Sequence, residues 1–186
     1  LHKIIIIAGP SGAGKTTVSN YLTETYQIPR VITHTTRPMR TGEVAGQSYY
    51  FETDASFKKL HFFEHVRYGS YQYGSSRESL DKAWSKNKLV SLIVETAGAR
   101  SYLQQLPAQT VFVYLTVSDP NILVERLQKR GDSQDEIEKR LASQEFKRDL
   151  QLPADLNSRA ITIINDNWEE AKTHLDKLIK RLQAEL

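Results

Sequence analysis

The residues best suited to chemistry are Gly9-Pro10-Ser11-Gly12-Ala13-Gly14-Lys15-Thr16. Their spacing, Gly-x-x-x-x-Gly-Lys-[Ser/Thr], is that of a phosphate-binding loop, or P-loop. Glycines let successive backbone N–H groups converge on an anion with no Cβ in the way. Lys15 is a mobile point charge for β- and γ-phosphates, and the Thr16 hydroxyl is placed to ligate Mg²⁺. Such a loop works only between a strand and a helix. Residues 4–7 are a β-branched apolar run of the kind buried on both faces of a sheet. Thr17 onward reads as a helix with Val18, Tyr21 and Leu22 on one face. Its N-terminus adds partial positive charge where phosphates would lie.

A second anion site is suggested by residues 34–51. Arg37 and Arg40 stand three apart, followed by Gly42-Glu43 and by Tyr49-Tyr50. Guanidinium forks match phosphate oxygens bidentately, and a tyrosine can offer its hydroxyl to the same group. A basic surface loop beside hairpin aromatics explains the composition equally well. Further on, His61-Phe62-Phe63-Glu64-His65 satisfies His-x-x-Glu-His, a zinc-hydrolase pattern. That pattern needs a stable helix and a third ligand. This segment is short, carries two phenylalanines and turns extended near Val66, so surface histidines are the better reading.

From Thr33 onward the chain resembles the nucleoside-monophosphate-binding signature of guanylate kinases, and the resemblance runs from residue 4 to about 167. The P-loop is of that family's Gly-Pro-Ser-Gly-x-Gly-Lys type. By position, the resemblance implies that Arg37, Arg40 and Tyr49 hold the acceptor phosphate, with Glu43 in the same turn and Thr33 at the guanine edge. Glu64 would accept hydrogen bonds from guanine N1–H and the 2-amino group. Tyr73 would reach the acceptor phosphate, and Ser75 would line the site. Two positions in the signature depart: Met39 replaces the usual proline, and Ser48 the usual aspartate. At the tip of the strand expected over 89–94, Glu95 matches the second acid of the family's pattern. Ile93 stands where the first acid, associated with the Mg²⁺ hydration shell, would be.

Residues 126–148 resemble the family's mobile lid over ATP. Arg126, Arg130 and Arg140 would gather around a turn, neutralising charge on the transferring phosphoryl while closure excludes water. With Lys15, Arg37 and Arg40, Arg130 and Arg140 form the expected catalytic set. The ATP side would comprise Gly9, Ser11, Gly12, Ala13, Gly14, Lys15, Thr16 and Thr17, then Arg126, Arg130 and Asn165. Thr16 would be the one metal ligand.

The elements that must position these groups follow from pattern. A strand is expected over 31–33, short helices over 53–60 and 76–87, and strands over 89–94, 110–117 and 160–164. Ser118-Asp119-Pro120 is a helix start, and Ser133-Gln134-Asp135-Glu136 a capping box. A closing helix carries Trp168, Ala171, Leu175, Leu178, Ile179 and Leu182 on one face, with Trp168 as a packing residue. Strands alternating with helices predict an α/β fold, a P-loop NTPase-type parallel sheet flanked by helices. The core would span about 1–33, 87–125 and 149–186, with an acceptor-binding insert over 34–86 and a lid over 126–148.

Composition sets the outer bounds. The chain has 186 residues, 39% hydrophobic and 25% charged, as in ordinary globular proteins. It has no cysteine, which removes thiolate nucleophiles, disulfides and Cys-based zinc sites and fits a reducing cytoplasm. No apolar run approaches the ~20 residues of a bilayer span, so no membrane association is expected. A net charge of +3 permits nucleic-acid binding without requiring it; arginines around nucleotide phosphates explain it as well, and no nucleic-acid partner is expected. The function expected is phosphoryl transfer from ATP, with Mg²⁺, to GMP or dGMP, giving GDP or dGDP. Alternatives are a kinase of another phosphorylated acceptor such as a ribose bisphosphate, and a catalytically weak protein-binding module of the same fold. Assembly as a homodimer is left open.

Overall fold

The computed structural model describes residues 1–186, the side chain of Tyr68 excepted. Its central layer is a four-stranded, all-parallel sheet. β1 (Lys3–Ala8) lies between β6 (Leu89–Ile93) and β7 (Thr110–Thr116), and β8 (Ala160–Ile164) pairs with β7. The isoleucine run of β1 feeds two cores, because side chains alternate across a strand. Ile5 and Ile7 face α1 (Lys15–Tyr26) and α8 (Trp168–Ala184), where Val18, Leu22, Leu175 and Ile179 close the layer. Ile4 and Ile6 face α4 (Thr96–Gln105) and α3 (Arg77–Trp84), meeting Ala99, Tyr102 and Leu80. Every side chain of residues 4–8 is essentially inaccessible, which is why this strand tolerates no polar position. On α8, Ala171, Leu175, Leu178, Ile179 and Leu182 are buried as expected from their spacing.

A second, four-stranded sheet is built from β2 (His34–Thr35), β3 (Tyr50–Phe51), β4 (Phe62–Tyr68) and β5 (Tyr71–Ser76), in the order β3-β2-β5-β4. The strand expected over 31–33 does not form. Arg30 makes a single bridge to Ser91 at the edge of the main sheet, and pairing resumes at His34 in the second sheet. The β-branched run is the crossing between two sheets, so its backbone partners change within it. The helix expected over 53–60 shortens to α2 (Asp54–Phe57), capped by Thr53. His61-Phe62-Phe63-Glu64-His65 is extended, not helical, from Phe62 onward. No cluster of three His, Cys, Asp or Glu fit for a metal exists among the described residues.

After β7 come α5 (Pro120–Lys129), α6 (Gln134–Ala142) and α7 (Gln144–Asp149). Asp119 caps α5 through Asn121 N–H, and Ser133 with Glu136 forms the expected capping box on α6. Among the described residues, no helix is long and apolar enough to cross a membrane.

The loop after β1 has its own constraint. Gly9 has φ +142°, and a Cβ there would lie 1.9 Å from the Leu115 carbonyl oxygen of β7. Gly9→Ala therefore collides with backbone that cannot swing away. The expected result is a Tm lowered by roughly 5–15 °C, read by thermal denaturation. An unchanged Tm would show that the turn relaxes freely.

Candidate active site

Helix α1 begins at Lys15, two residues earlier than the expected start, with Gly14 at its N-cap in left-handed geometry, φ 100°. Lys15 Nζ donates to the carbonyls of Gly9 (2.7 Å) and Pro10 (2.9 Å), so the lysine curls back over its own loop. Burial pulls its pKa down to about 8, against the attraction of Asp149 and Glu95. Asn165, at the end of β8, braces the loop from below by donating to the Ala13 carbonyl at 2.8 Å. Its Oδ1 is buried and takes no hydrogen bond among the described residues. Arg126 ties α5 to the same floor, donating to Gly12 O (3.3 Å) and Asn165 O (2.5 Å).

Three cavities run in a row from this loop. The first, about 730 Å³, is lined by the loop, by Thr16 and Thr17, and by Arg126, Arg130, Asn165 and Trp168. Trp168 also packs edge-on to Tyr21 at 5.4 Å, so it serves the core and bounds this cavity. The second, about 330 Å³, shares Ser11 and Lys15 with the first and adds Glu95, Arg140 and Asp149. The third, about 290 Å³, shares Ile93 and Glu95 with the second and adds Thr33, Tyr49, Glu64 and Tyr73. The cleft thus passes from the P-loop, over Lys15, to the second sheet.

At the far end, Glu64 on β4 accepts from the Ser75 hydroxyl on β5 at 2.9 Å. Burial raises the Glu64 pKa, opposed in part by Ser75, and the Glu95 charge adds to the rise. A glycine makes this approach feasible: a Cβ on Gly98 of α4 would sit 3.2 Å from Glu64 Cγ and 2.9 Å from Val94 Cβ. Arg37 is buried, and Glu43 takes its fork bidentately at 2.6 and 3.0 Å. That pairing holds the Glu43 carboxyl below the usual range and raises the Arg37 pKa further. The guanidinium lies 5.7 Å from the Tyr49 ring centroid and is hydrogen-bonded with Tyr73. So Thr33, Tyr49, Glu64, Tyr73 and Glu95 come together around one cavity, with the buried Ser75 hydroxyl on Glu64 and Arg37 beside Tyr49 and Tyr73. Arg40 does not join them. Its side chain is exposed, and only its backbone N–H reaches Glu43, at 2.7 Å.

Around the helical segment the arginines separate. Arg140 donates to the Ser11 hydroxyl at 2.7 Å, which brings α6 onto the P-loop. Arg130 is exposed and paired with Asp132, though it still borders the first cavity. Arg148, at the end of α7, reaches Glu95 at 2.5 Å and Asp149 at 3.1 Å. Asp149 has no role in the sequence expectations, since no motif marks it. Only the docking of α7 against the start of α4 turns it inward.

A P-loop facing a cavity with a half-buried carboxylate and a tyrosine–arginine cluster is the layout of a nucleotide-binding kinase. Comparison with known proteins narrows the class. A family model described as guanylate kinase matches residues 1–182. A guanylate kinase from a Synechocystis species is 35% identical over 185 residues, covering 95% of this chain and 93% of that one. One from Helicobacter pylori is 34% identical over 187 residues, covering 96% and 87%. The crystal structure of guanylate kinase from Anaplasma phagocytophilum shares the fold, with a TM-score of 0.61 at 20% identity over 100% of this chain and 86% of that chain. The chain belongs to the guanylate kinase family.

Proposed function

We propose that the protein transfers the γ-phosphoryl group of ATP to GMP or dGMP, releasing ADP and GDP or dGDP. The observation that carries this reading is the row of three joined cavities with Lys15 in the middle and Glu64 at the end. The first cavity takes the ATP, with P-loop amides and Lys15 on its phosphates and Asn165 on the adenine side. The third takes the purine, with Glu64 accepting from guanine N1–H and the 2-amino group and Thr33 and Glu95 at its edge. Tyr49, Tyr73 and Arg37 hold the acceptor phosphate, Glu43 orients Arg37, and Arg40 swings in from solvent. Adenine offers no matching pair of donors, so it leaves the carboxylate unpaired.

Catalysis then needs no protein nucleophile. It rests on in-line placement of two anions and on charge neutralisation by Lys15, Arg130 and Arg140. The segment over 126–148 acts as a lid and the one over 34–86 as the acceptor-binding part. Mg²⁺ supplies further neutralisation when it arrives with ATP. The residues fit that arrangement: the exposed Thr16 hydroxyl opens on the first cavity, and carboxylates line the second. With no protein cage for the ion, most of its ligands would be phosphate oxygens and water.

An ADP-release assay with GMP, dGMP, AMP, UMP, CMP and ribose phosphates tests the reading. ADP release is expected with GMP and dGMP, and at most weakly with the others. Release only with a ribose phosphate, or with none of the acceptors, would overturn it.

A further inference from the structure

The middle cavity contains a carboxylate that the reaction above leaves without a task. Asp149 is the last residue of α7, its side chain 9% exposed, and it lines the cavity together with Gly9, Ser11, Lys15, Arg140 and Glu95. Three donors hold it: Thr96 Oγ1 at 2.6 Å, Thr96 N–H at 3.3 Å and Arg148 Nε at 3.1 Å. All three fall on Oδ1. Oδ2 takes no hydrogen bond among the described residues. Of the charges acting on Lys15, that of Asp149 is the largest.

Its backbone is fixed as well, since the Tyr114 hydroxyl of β7 donates to the Asp149 carbonyl at 2.8 Å. A nearly buried carboxylate with one oxygen tied down and one left for the cavity is placed to accept a further hydrogen bond there. At the tip of β6 the first position lining this cavity is Ile93, not an acid, and the acid two residues on, Glu95, is paired with Arg148.

We propose that Asp149 is a positioning residue for the metal, its Oδ2 accepting hydrogen bonds from water ligands of the Mg²⁺ carried by the nucleotide. The proposal rests on the kinase reading and says which side chain of this chain replaces an acid on β6. The carboxylate acts through water, because Mg²⁺ keeps several waters when bound to phosphates. Asp149 would thereby hold the ion's water shell at the second cavity, which it lines together with Lys15.

The test measures ADP binding by calorimetry, with and without Mg²⁺, for the unsubstituted protein and for Asp149→Asn. Asparagine keeps an acceptor at Oδ1 for Thr96 and removes the charge. Metal-free ADP affinity should stay within about twofold, while the gain in affinity on adding Mg²⁺ should fall roughly 5–10-fold. Thr96→Val breaks the same contact from the other side and should leave the Mg²⁺ gain intact. An unchanged Mg²⁺ gain in Asp149→Asn, or an equal loss in Thr96→Val, overturns the proposal.

A second readout needs no variant. With Mn²⁺ and ADP, the carboxyl ¹³C resonance of Asp149 should broaden far more than that of Asp155, which pairs with Arg100 at the surface. A sharp Asp149 resonance would overturn the assignment even if the asparagine variant failed to fold. Failure of ADP to bind at all would instead sink the kinase reading itself.

Discussion

Lys15→Ala should lower kcat/KM for phosphoryl transfer by about a thousandfold or more while leaving the fold intact. The rate argument is electrostatic. Lys15 borders both the first and the second cavity; in the proposed reaction its charge would meet the β- and γ-phosphates where negative charge shifts during transfer. Removing one preorganised donor of this kind typically costs 10²–10³-fold, and a full charge costs more. The stability argument runs the other way. Burial holds the Lys15 pKa near 8, below its ordinary 10.5, so the folded state disfavours the charged form. Charging the lysine opposes folding at every pH below about 8, and that penalty fades as the pH climbs from 8 towards 10.5. Alanine removes it, so Tm at pH 7 should be equal or higher. A large fall in Tm would mean that the two carbonyl contacts of Nζ support the loop.

The same shift makes a prediction for binding. A polyphosphate raises the lysine's pKa again, so above pH 8 nucleotide binding must take up a proton. ATP affinity should therefore decline as pH rises through 8, with proton uptake visible as buffer-dependent heats in calorimetry. Lys15→Ala should lose both effects. A flat affinity profile between pH 7 and 9.5 in the unsubstituted protein would contradict the burial argument.

What could be read from sequence was what is local or doubly buried. β1, the P-loop and α1 are adjacent in the chain, so glycine spacing and an apolar run suffice to place them. β6, β7 and β8 show as β-branched runs because both faces of the sheet are covered. The second sheet was hidden: His34–Thr35 and Tyr50–Phe51 are two-residue strands whose partners lie 16 residues and more away. Nothing in so short a segment carries a period. The Arg37–Arg40 spacing was legible, but not the embrace of Arg37 by Glu43, which needs the turn at Gly42 to fold the chain back. Asp149 was illegible for the same reason at longer range: it meets Thr96 across 53 positions. Motif chemistry travels in sequence, and the electrostatic surroundings that tune it are assembled by tertiary contacts.

The second large effect lies at the other end of the cleft. Glu64→Gln should raise KM for GMP by roughly a hundredfold and leave KM for ATP within about twofold. Glu64 offers two acceptor oxygens, one already shared with the Ser75 hydroxyl. Glutamine substitutes an NH₂ for one of them, and that NH₂ would face a guanine donor. Hydrogen bonds to a charged partner are worth about 1.5–3 kcal/mol each, and a mismatched buried donor adds its own desolvation. The loss falls on binding that ground state and transition state share, so KM moves more than kcat. IMP, which lacks the 2-amino group, should lose far less than GMP on the same substitution. Acid pH should mimic the variant, because burial raises the Glu64 pKa and a protonated carboxyl has one acceptor fewer. KM for GMP should climb as pH falls through that raised value, and the climb should vanish in Glu64→Gln. Stability again moves oppositely: a carboxylate whose folded pKa is raised destabilises the fold above that pKa, so the glutamine variant should melt no lower at pH 7. Equal GMP KM values for the two proteins across the pH range would detach guanine from Glu64 and leave the third cavity to a different acceptor.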